Sequence, residues 1–161
     1  MKTLAIHPYS DSAHRAQVIA LWDAQFHYNA PHNNPALSID NKVASGDGLF
    51  FVAVSGGEVV GTIMAGYDGH RGWIYSVAVS PAHQRQGVGS QLVRFAERAL
   101  ADKGCVKINL QIMQGYEGVT AFYARLGFSV EQRSPITPTA WISISIPGRA
   151  KLVTVMSALP G

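Results

Sequence analysis

Apolar positions recur along this chain at two spacings, and each change of spacing marks the boundary of an element. Leu4 to His7 reads as a short strand that Pro8 stops. Asp11 or Ser12 caps a helix that carries Val18, Trp22 and Phe26 on one face, at i, i+4 and i+8. After a polar stretch broken by prolines, Ser38 caps a short helix with Ile39 and Val43 inward. Leu49 to Val54 is the longest unbroken apolar run, and its aromatics and valines predict a buried strand. The turn Ser55-Gly56-Gly57-Glu58 sends it back as a strand from Val59 to Tyr67. Asp68-Gly69-His70 turns the chain once more into Trp73 to Val79.

Beyond Pro81 the spacing lengthens. A loop containing Gly87 and Gly89 opens a helix with Val88, Leu92, Phe95 or Ala96, and Ala99 on one side. Arg94, Glu97, Arg98 and Asp102 take its outer side, and Gly104 is placed to end it. Ile108, Leu110 and Ile112 alternate in a strand from Val106 to Met113, and Glu117 to Arg125 is a short helix. Leu126-Gly127-Phe128 starts a further strand, and Trp141 to Ile146 and Leu152 to Met156 are two more. Antiparallel strands followed by strand–helix–strand–helix–strand predict an α/β (α+β) three-layer sandwich, with one mixed central β-sheet and helices on both faces.

Composition narrows the class. At 161 residues the chain is the size of one domain. Hydrophobic residues are 47% and charged residues only 14%, against a usual charged share of about 25%, which excludes disorder. The shortage of charge implies surface covered by a ligand, a partner or a second copy. The net charge of +3 comes without any basic run, so nucleic acid is not expected as a partner. The apolar runs are far shorter than the ~20 residues of a membrane helix, and His7 and Pro8 interrupt any leader-like core. The expectation is a cytoplasmic protein. The single cysteine, Cys105, is expected buried and inert, and the six histidines have no metal-ligand spacing.

The chemistry gathers between Val77 and Ser90. A strand, a glycine loop and a helix N-terminus in that order make an anion site, because the first helical N–H groups lack partners and the macrodipole favours negative charge. Arg85 adds a fixed positive charge. The motif is neither a P-loop, having no Lys after Gly89, nor a dinucleotide fingerprint, because position 92 is Leu. An ordinary turn fits a bare Gly-x-Gly equally well.

Gln84, Gly87 and Gly89 fit the pattern Gln/Arg-x-x-Gly-x-Gly/Ala, after the strand Val77-Ala78-Val79 and Ser80-Pro81. Farther on stands Phe122-Tyr123-Ala124-Arg125-Leu126-Gly127-Phe128. Together these resemble the two signatures of the GNAT superfamily of N-acetyltransferases, in its small single-domain bacterial branch. The resemblance covers Leu49 to about Phe128 well. It implies one domain over 1–161, with the motif core at about 49–128 and the tail 129–161 as extra strands.

The resemblance also implies acetyl-CoA as cosubstrate. Gln84, Arg85, Gln86, Gly87, Val88, Gly89 and Ser90 would bind its pyrophosphate, and Val77, Ala78 and Val79 would pair with its pantetheine arm. A primary amine would attack the thioester directly, with Tyr123 as the general acid for the leaving thiolate. Many members carry a Glu on one of the two central strands, where this sequence has Trp73 and Gln111. That departure leaves open a non-catalytic acyl-CoA-binding or regulatory domain. It also favours a small amine or an N-terminal α-amine, which loses its proton near pH 7.7–8.0, over a Lys side chain near 10.4. Tyr28, Asn34, Tyr67 and Tyr75 are candidate residues for binding a small-molecule or peptide amine. The tail, where Ile142, Ile144 and Ile146 alternate with serines, is either extra strands or an edge that pairs with a second copy as a homodimer.

Overall fold

The computed structural model describes residues 2–26, 34–113, 117–132, 140–144 and 150–157. The chain divides into two compact units, Met1–Ala65 with Ser76–Ala99, and Gly66–Tyr75 with Leu100–Gly161.

The first unit holds β1 (Leu4–Pro8), α1 (Asp11–Gln25), α2 (Pro35–Ser45), β2 (Phe50–Ser55), most of β3 (Glu58–Tyr67), the end of β4 (Gly72–Val79) and most of α3 (Val88–Asp102). β1 and β2 are antiparallel, with Leu4 opposite Ser55, and so are β2 and β3, with Phe50 opposite Met64. β2 is covered on both faces, which is why its apolar run is unbroken. Phe50 stacks on Tyr9 at 4.2 Å and on Trp22 at 5.9 Å, while Phe51 meets Phe95 of α3 edge-on at 4.9 Å. Val18, Trp22, Ile39, Phe50, Val52 and Met64 belong to one core cluster.

Three local expectations are corrected here. The N-cap of α1 is Ser10 rather than Asp11 or Ser12. Its backbone N–H donates to Nδ1 of His14 at 3.0 Å, and Asp11 is occupied by the Tyr9 hydroxyl and by Arg15. α2 begins three residues before Ser38, because Asn34 caps it, accepting from the Leu37 N–H at 3.0 Å, and Pro35 supplies the first helical φ. Ile39 is inward as expected, but Val43 is exposed and Lys42 is buried in its place. The Lys42 ammonium donates to the Asp47 carboxylate at 2.6 Å and to the Ala65 carbonyl, so the buried charge is paired. On α3, Val93 and Leu100 join Val88, Leu92 and Ala96 in full burial, and Ala99 is only half-buried.

The second unit holds the start of β4, then β5 (Lys107–Met113), α4 (Glu117–Arg125), β6 (Ser129–Gln132), β7 (Ala140–Ile144) and β8 (Ala150–Ser157). Its strands run in the order β4-β5-β8-β6-β7. β5 pairs in parallel with β4 on one edge and along its whole length with β8 on the other. β6 is parallel to β8, and β7 is antiparallel to both. With antiparallel ladders in the first unit and parallel ladders joined by antiparallel ones in the second, the fold is mixed α/β. The expected strand from Trp141 begins at Ala140, and Ile146 lies outside the described residues. Gly72 is obligatory for packing, since a Cβ there would lie 2.6 Å from the Cys105 sulfur. Burial raises the Cys105 thiol pKa and its hydrogen donates to the Lys107 carbonyl at 3.2 Å, leaving a small hydrophobe. No helix among the described residues is long and apolar enough to cross a membrane.

Candidate active site

After β4, Pro81–His83 makes a single 3-10 turn tied by a 2.8 Å hydrogen bond between the Ser80 hydroxyl and His83. Gln84 follows, its side-chain amide donating to the Val79 carbonyl at 3.1 Å and to Gln25 at 3.3 Å. Gln86 donates back to the Ala82 carbonyl at 2.9 Å. These bonds fold the glutamine side chains against the loop's own backbone, and Gln84 through Gly87 is exposed. Arg85 and Gly87 both take positive φ, 59° and 79°. Such left-handed residues turn successive N–H groups into an anion-binding concavity. The Gly87 carbonyl accepts from the Gln91 N–H at 3.0 Å, which makes Gly87 the cap of α3. Val88, Gly89 and Ser90 therefore stand in the first turn, whose N–H groups have no intrahelical acceptor. Gly61 lets α3 approach β3, since a Cβ there would lie 2.9 Å from Leu92 and 3.1 Å from the Ala78 carbonyl.

The last residues of β4 are held by a buried relay. The Trp22 indole donates to the Thr62 hydroxyl at 2.8 Å, and that hydroxyl donates to the Ser76 carbonyl at 3.0 Å. Ser76 has a φ of 52°, left-handed for a non-glycine residue, so the strand kinks immediately before Val77, Ala78 and Val79. The β4–β5 ladder covers only Gly72–Ile74. Ala78 is buried, with Val77 and Val79 half-exposed on either side of it.

Tyr123 is placed by the end of α4. The Gly127 N–H donates to the Ala124 carbonyl at 2.9 Å and the Phe128 N–H to the Tyr123 carbonyl at 3.0 Å. This 5→2 and 6→1 pair is a Schellman cap, with Gly127 left-handed at φ 87°. Such caps bring together the side chains at the positions Tyr123 and Phe128 occupy, and their rings meet edge-on at 5.5 Å. Phe122 closes the other side at 4.9 Å. Tyr123 is buried, and burial alone pushes its phenol well above the ordinary 10. It is fully protonated at neutral pH. Gly127→Ala forces a Cβ into the left-handed region, a cost of about 1–2 kcal/mol. The expected outcome is a thermal midpoint lower by a few degrees together with a weaker near-UV aromatic signal, both read by circular dichroism.

Among the acceptor candidates, the Tyr67 hydroxyl donates to the Gly69 carbonyl at 3.2 Å, with the Gly104 carbonyl at 3.5 Å. Tyr75 is 42% exposed. The Asn34 side chain is engaged as the α2 cap. Tyr28 lies outside the described residues. Asp68 accepts from the Arg71 and His70 N–H groups at 2.6 and 2.8 Å, which hold its pKa below the usual value. Among the described residues, no three His, Cys, Asp or Glu side chains gather as metal ligands do. Two residues escaped the reading of the sequence. Thr62 sits inside an apolar strand with no motif around it. Asn109 is a wholly buried amide at a position that the alternation of Ile108, Leu110 and Ile112 assigns to the polar face, so the sequence carried no signal for it.

The profile of the acetyltransferase (GNAT) family matches residues 15–128. An acetyltransferase of Sodalis glossinidius (strain morsitans) is 37% identical over 115 residues, 71% of this chain and 80% of that protein. Among solved structures, the PaiA N-acetyltransferase of Thermoplasma acidophilum, determined in complex with coenzyme A, superposes with a TM-score of 0.70 at 17% identity, over 82% of this chain and 93% of that one. A GCN5-related N-acetyltransferase from Kribbella flavida gives a TM-score of 0.64 at 23% identity, over 81% of this chain. This chain spans only about a third, 34%, of that longer protein. The extent of the family match and the identity to the Sodalis protein make this chain a member of the GNAT acetyltransferase family.

Proposed function

We propose that the protein is an N-acetyltransferase that moves the acetyl group of acetyl-CoA to a primary amine by direct attack. The observation that carries this reading is the loop from Gln84 to Ser90. It offers left-handed residues at 85 and 87, first-turn N–H groups at the start of α3 and the Arg85 charge to one diphosphate. The residues fit the group: Gln84 to Gly87 is exposed and Arg85 and Gly87 are left-handed, the backbone pattern that gathers N–H groups for an anion. Acetyl-CoA supplies a thioester, an acyl group activated towards amines. Val77 and Val79 offer main-chain groups to its arm, and the kink at Ser76 sets the direction of that backbone. Tyr123 keeps its proton through neutral pH and holds it ready for a thiolate, whose own pKa is about 8.5.

Thiol release from acetyl-CoA across a panel of amines tests the reading. Wild-type protein is expected to release coenzyme A with at least one primary amine. Gly87→Val, which strains the left-handed position, is expected to raise KM for acetyl-CoA about tenfold while leaving KM for the amine unchanged. A second reading, a non-catalytic acyl-CoA-binding domain, is favoured by Trp73 and Gln111 standing where a carboxylate base would serve. It predicts that acetyl-CoA raises the melting temperature while no amine turns over.

A further inference from the structure

A non-glycine residue at positive φ is strained, and it persists where the surrounding structure enforces it, most often at a functional site. Ser76 is such a residue, at φ 52° within β4. Its carbonyl is fixed by the Thr62 hydroxyl, which the buried Trp22 indole holds in turn. Glycine takes this backbone state without strain, so the kink by itself calls for no side chain. Ser76 is half-exposed, and among the described residues its hydroxyl meets no hydrogen-bond partner. Its place in the strand is as specific. The Ser80 N–H donates to the Val60 carbonyl of β3, so strand alternation turns the main-chain groups of Val77 and Val79 to the other side. The Val79 carbonyl, on that side, accepts from Gln84 of the loop. The ladder to β5 covers Gly72 to Ile74 and stops there. The open edge of β4 therefore starts at the anion loop and ends at the kink.

We infer that Ser76 recognises the acyl group, its hydroxyl donating a hydrogen bond to the thioester carbonyl oxygen. This rests on the reading above that acetyl-CoA binds at the loop. A ligand held at its diphosphate by that loop and paired along Val79 and Val77 has one direction to run, and its far end comes to the kink. That end carries no hydrogen-bond donor. Its carbonyl oxygen is its one strong acceptor, since divalent sulfur accepts only weakly. A hydroxyl supplies the donor that such an end needs. Free coenzyme A ends in a thiol and offers the Ser76 hydroxyl no carbonyl. Ser76 thereby separates the acylated form of the cosubstrate from the spent form, which favours release of the product.

Isothermal titration calorimetry with acetyl-CoA and with coenzyme A, in wild type, Ser76→Ala and Ser76→Gly, tests this without any turnover. Both variants are expected to bind acetyl-CoA about fivefold more weakly than wild type, the effect of one neutral hydrogen bond, and coenzyme A within about twofold of it. The thermal midpoint of Ser76→Gly is expected to lie within about 2 °C of wild type, because glycine keeps the kink. Unchanged affinity for acetyl-CoA in both variants overturns the inference and leaves Ser76 a backbone element alone. Equal weakening towards both ligands overturns it as well, since the hydroxyl then acts on the arm and not on the acyl group. Weakening in only one variant does the same, because both lack the hydroxyl. If wild type binds neither ligand, the acetyl-CoA reading has failed by itself, and this inference falls with it.

Discussion

Tyr123→Phe is expected to lower kcat for thiol release by about a hundredfold or more, the low end of what a positioned general acid contributes. The same substitution is expected to leave KM for acetyl-CoA within a factor of about two. Phenylalanine keeps the edge-on contacts with Phe122 and Phe128, so the loss reads out the hydroxyl and not the packing. Equal rates for the two proteins would remove Tyr123 from the mechanism. Titration supplies a second readout. Burial raises the Tyr123 pKa in the folded chain, so above pH 10, the ordinary value, the unfolded chain releases a proton that the native one keeps. Native stability accordingly falls as pH rises beyond that point. In Tyr123→Phe this alkaline decline is expected to be shallower but not abolished, because the Tyr9 pKa is raised as well, first by burial and then by its hydrogen bond to Asp11. Thermal midpoints measured between pH 8 and 11 would show the difference.

The largest effect on stability is expected from Thr62→Val. Valine fills nearly the same volume but removes a hydroxyl that accepts from Trp22 and donates to Ser76. An indole N–H and a carbonyl are left unpaired in a site where Trp22 and Thr62 are almost wholly buried. At about 1–3 kcal/mol for each of the two orphaned groups, the loss is about 2–6 kcal/mol, or about 4–24 °C in thermal midpoint for a chain of this size. Thr62→Ser keeps both hydrogen bonds and is expected to lose far less. Because the relay also holds the left-handed Ser76, Thr62→Val is expected to raise KM for acetyl-CoA as the kink before Val77 relaxes. A midpoint within 2 °C of wild type would show that the two hydrogen bonds add little to stability.

The strands and helices were legible in the sequence wherever side-chain periodicity and turn chemistry agreed. The hairpin at Ser55-Gly56-Gly57 and the helix ends at Gly104 and Gly127 all carry glycines with φ above zero, a backbone state that few other residues adopt. The error at α2 had a local cause. Asn34-Pro35 is a cap and first-turn pair as strong as Ser38, and the choice between them could not be made from the apolar spacing, because Ile39 is buried under either start. Lys42 was illegible for a different reason: its burial depends on Asp47 and on the Ala65 carbonyl, a partner far along the chain. Thr62 and Ser76 belong to the same class, a long-range bond that no window of sequence contains. The anion loop was readable because its chemistry is written in consecutive residues. The burial of Asn109 was not, since it depends on the register of β5 between β4 and β8.

The place of β8 has a consequence for the order of assembly. It lies between β5 and β6 in the sheet, yet it is made roughly forty residues after β5, and such non-local pairing slows folding. As the chain leaves the ribosome, β5 and β6 are both synthesised before the strand that joins them. Their facing edges stay open until β8 arrives. The second unit therefore completes its sheet late, by insertion at the middle rather than by growth at an edge, and a chain stalled before Ala150 would expose two unpaired strand edges to its neighbours on the same message.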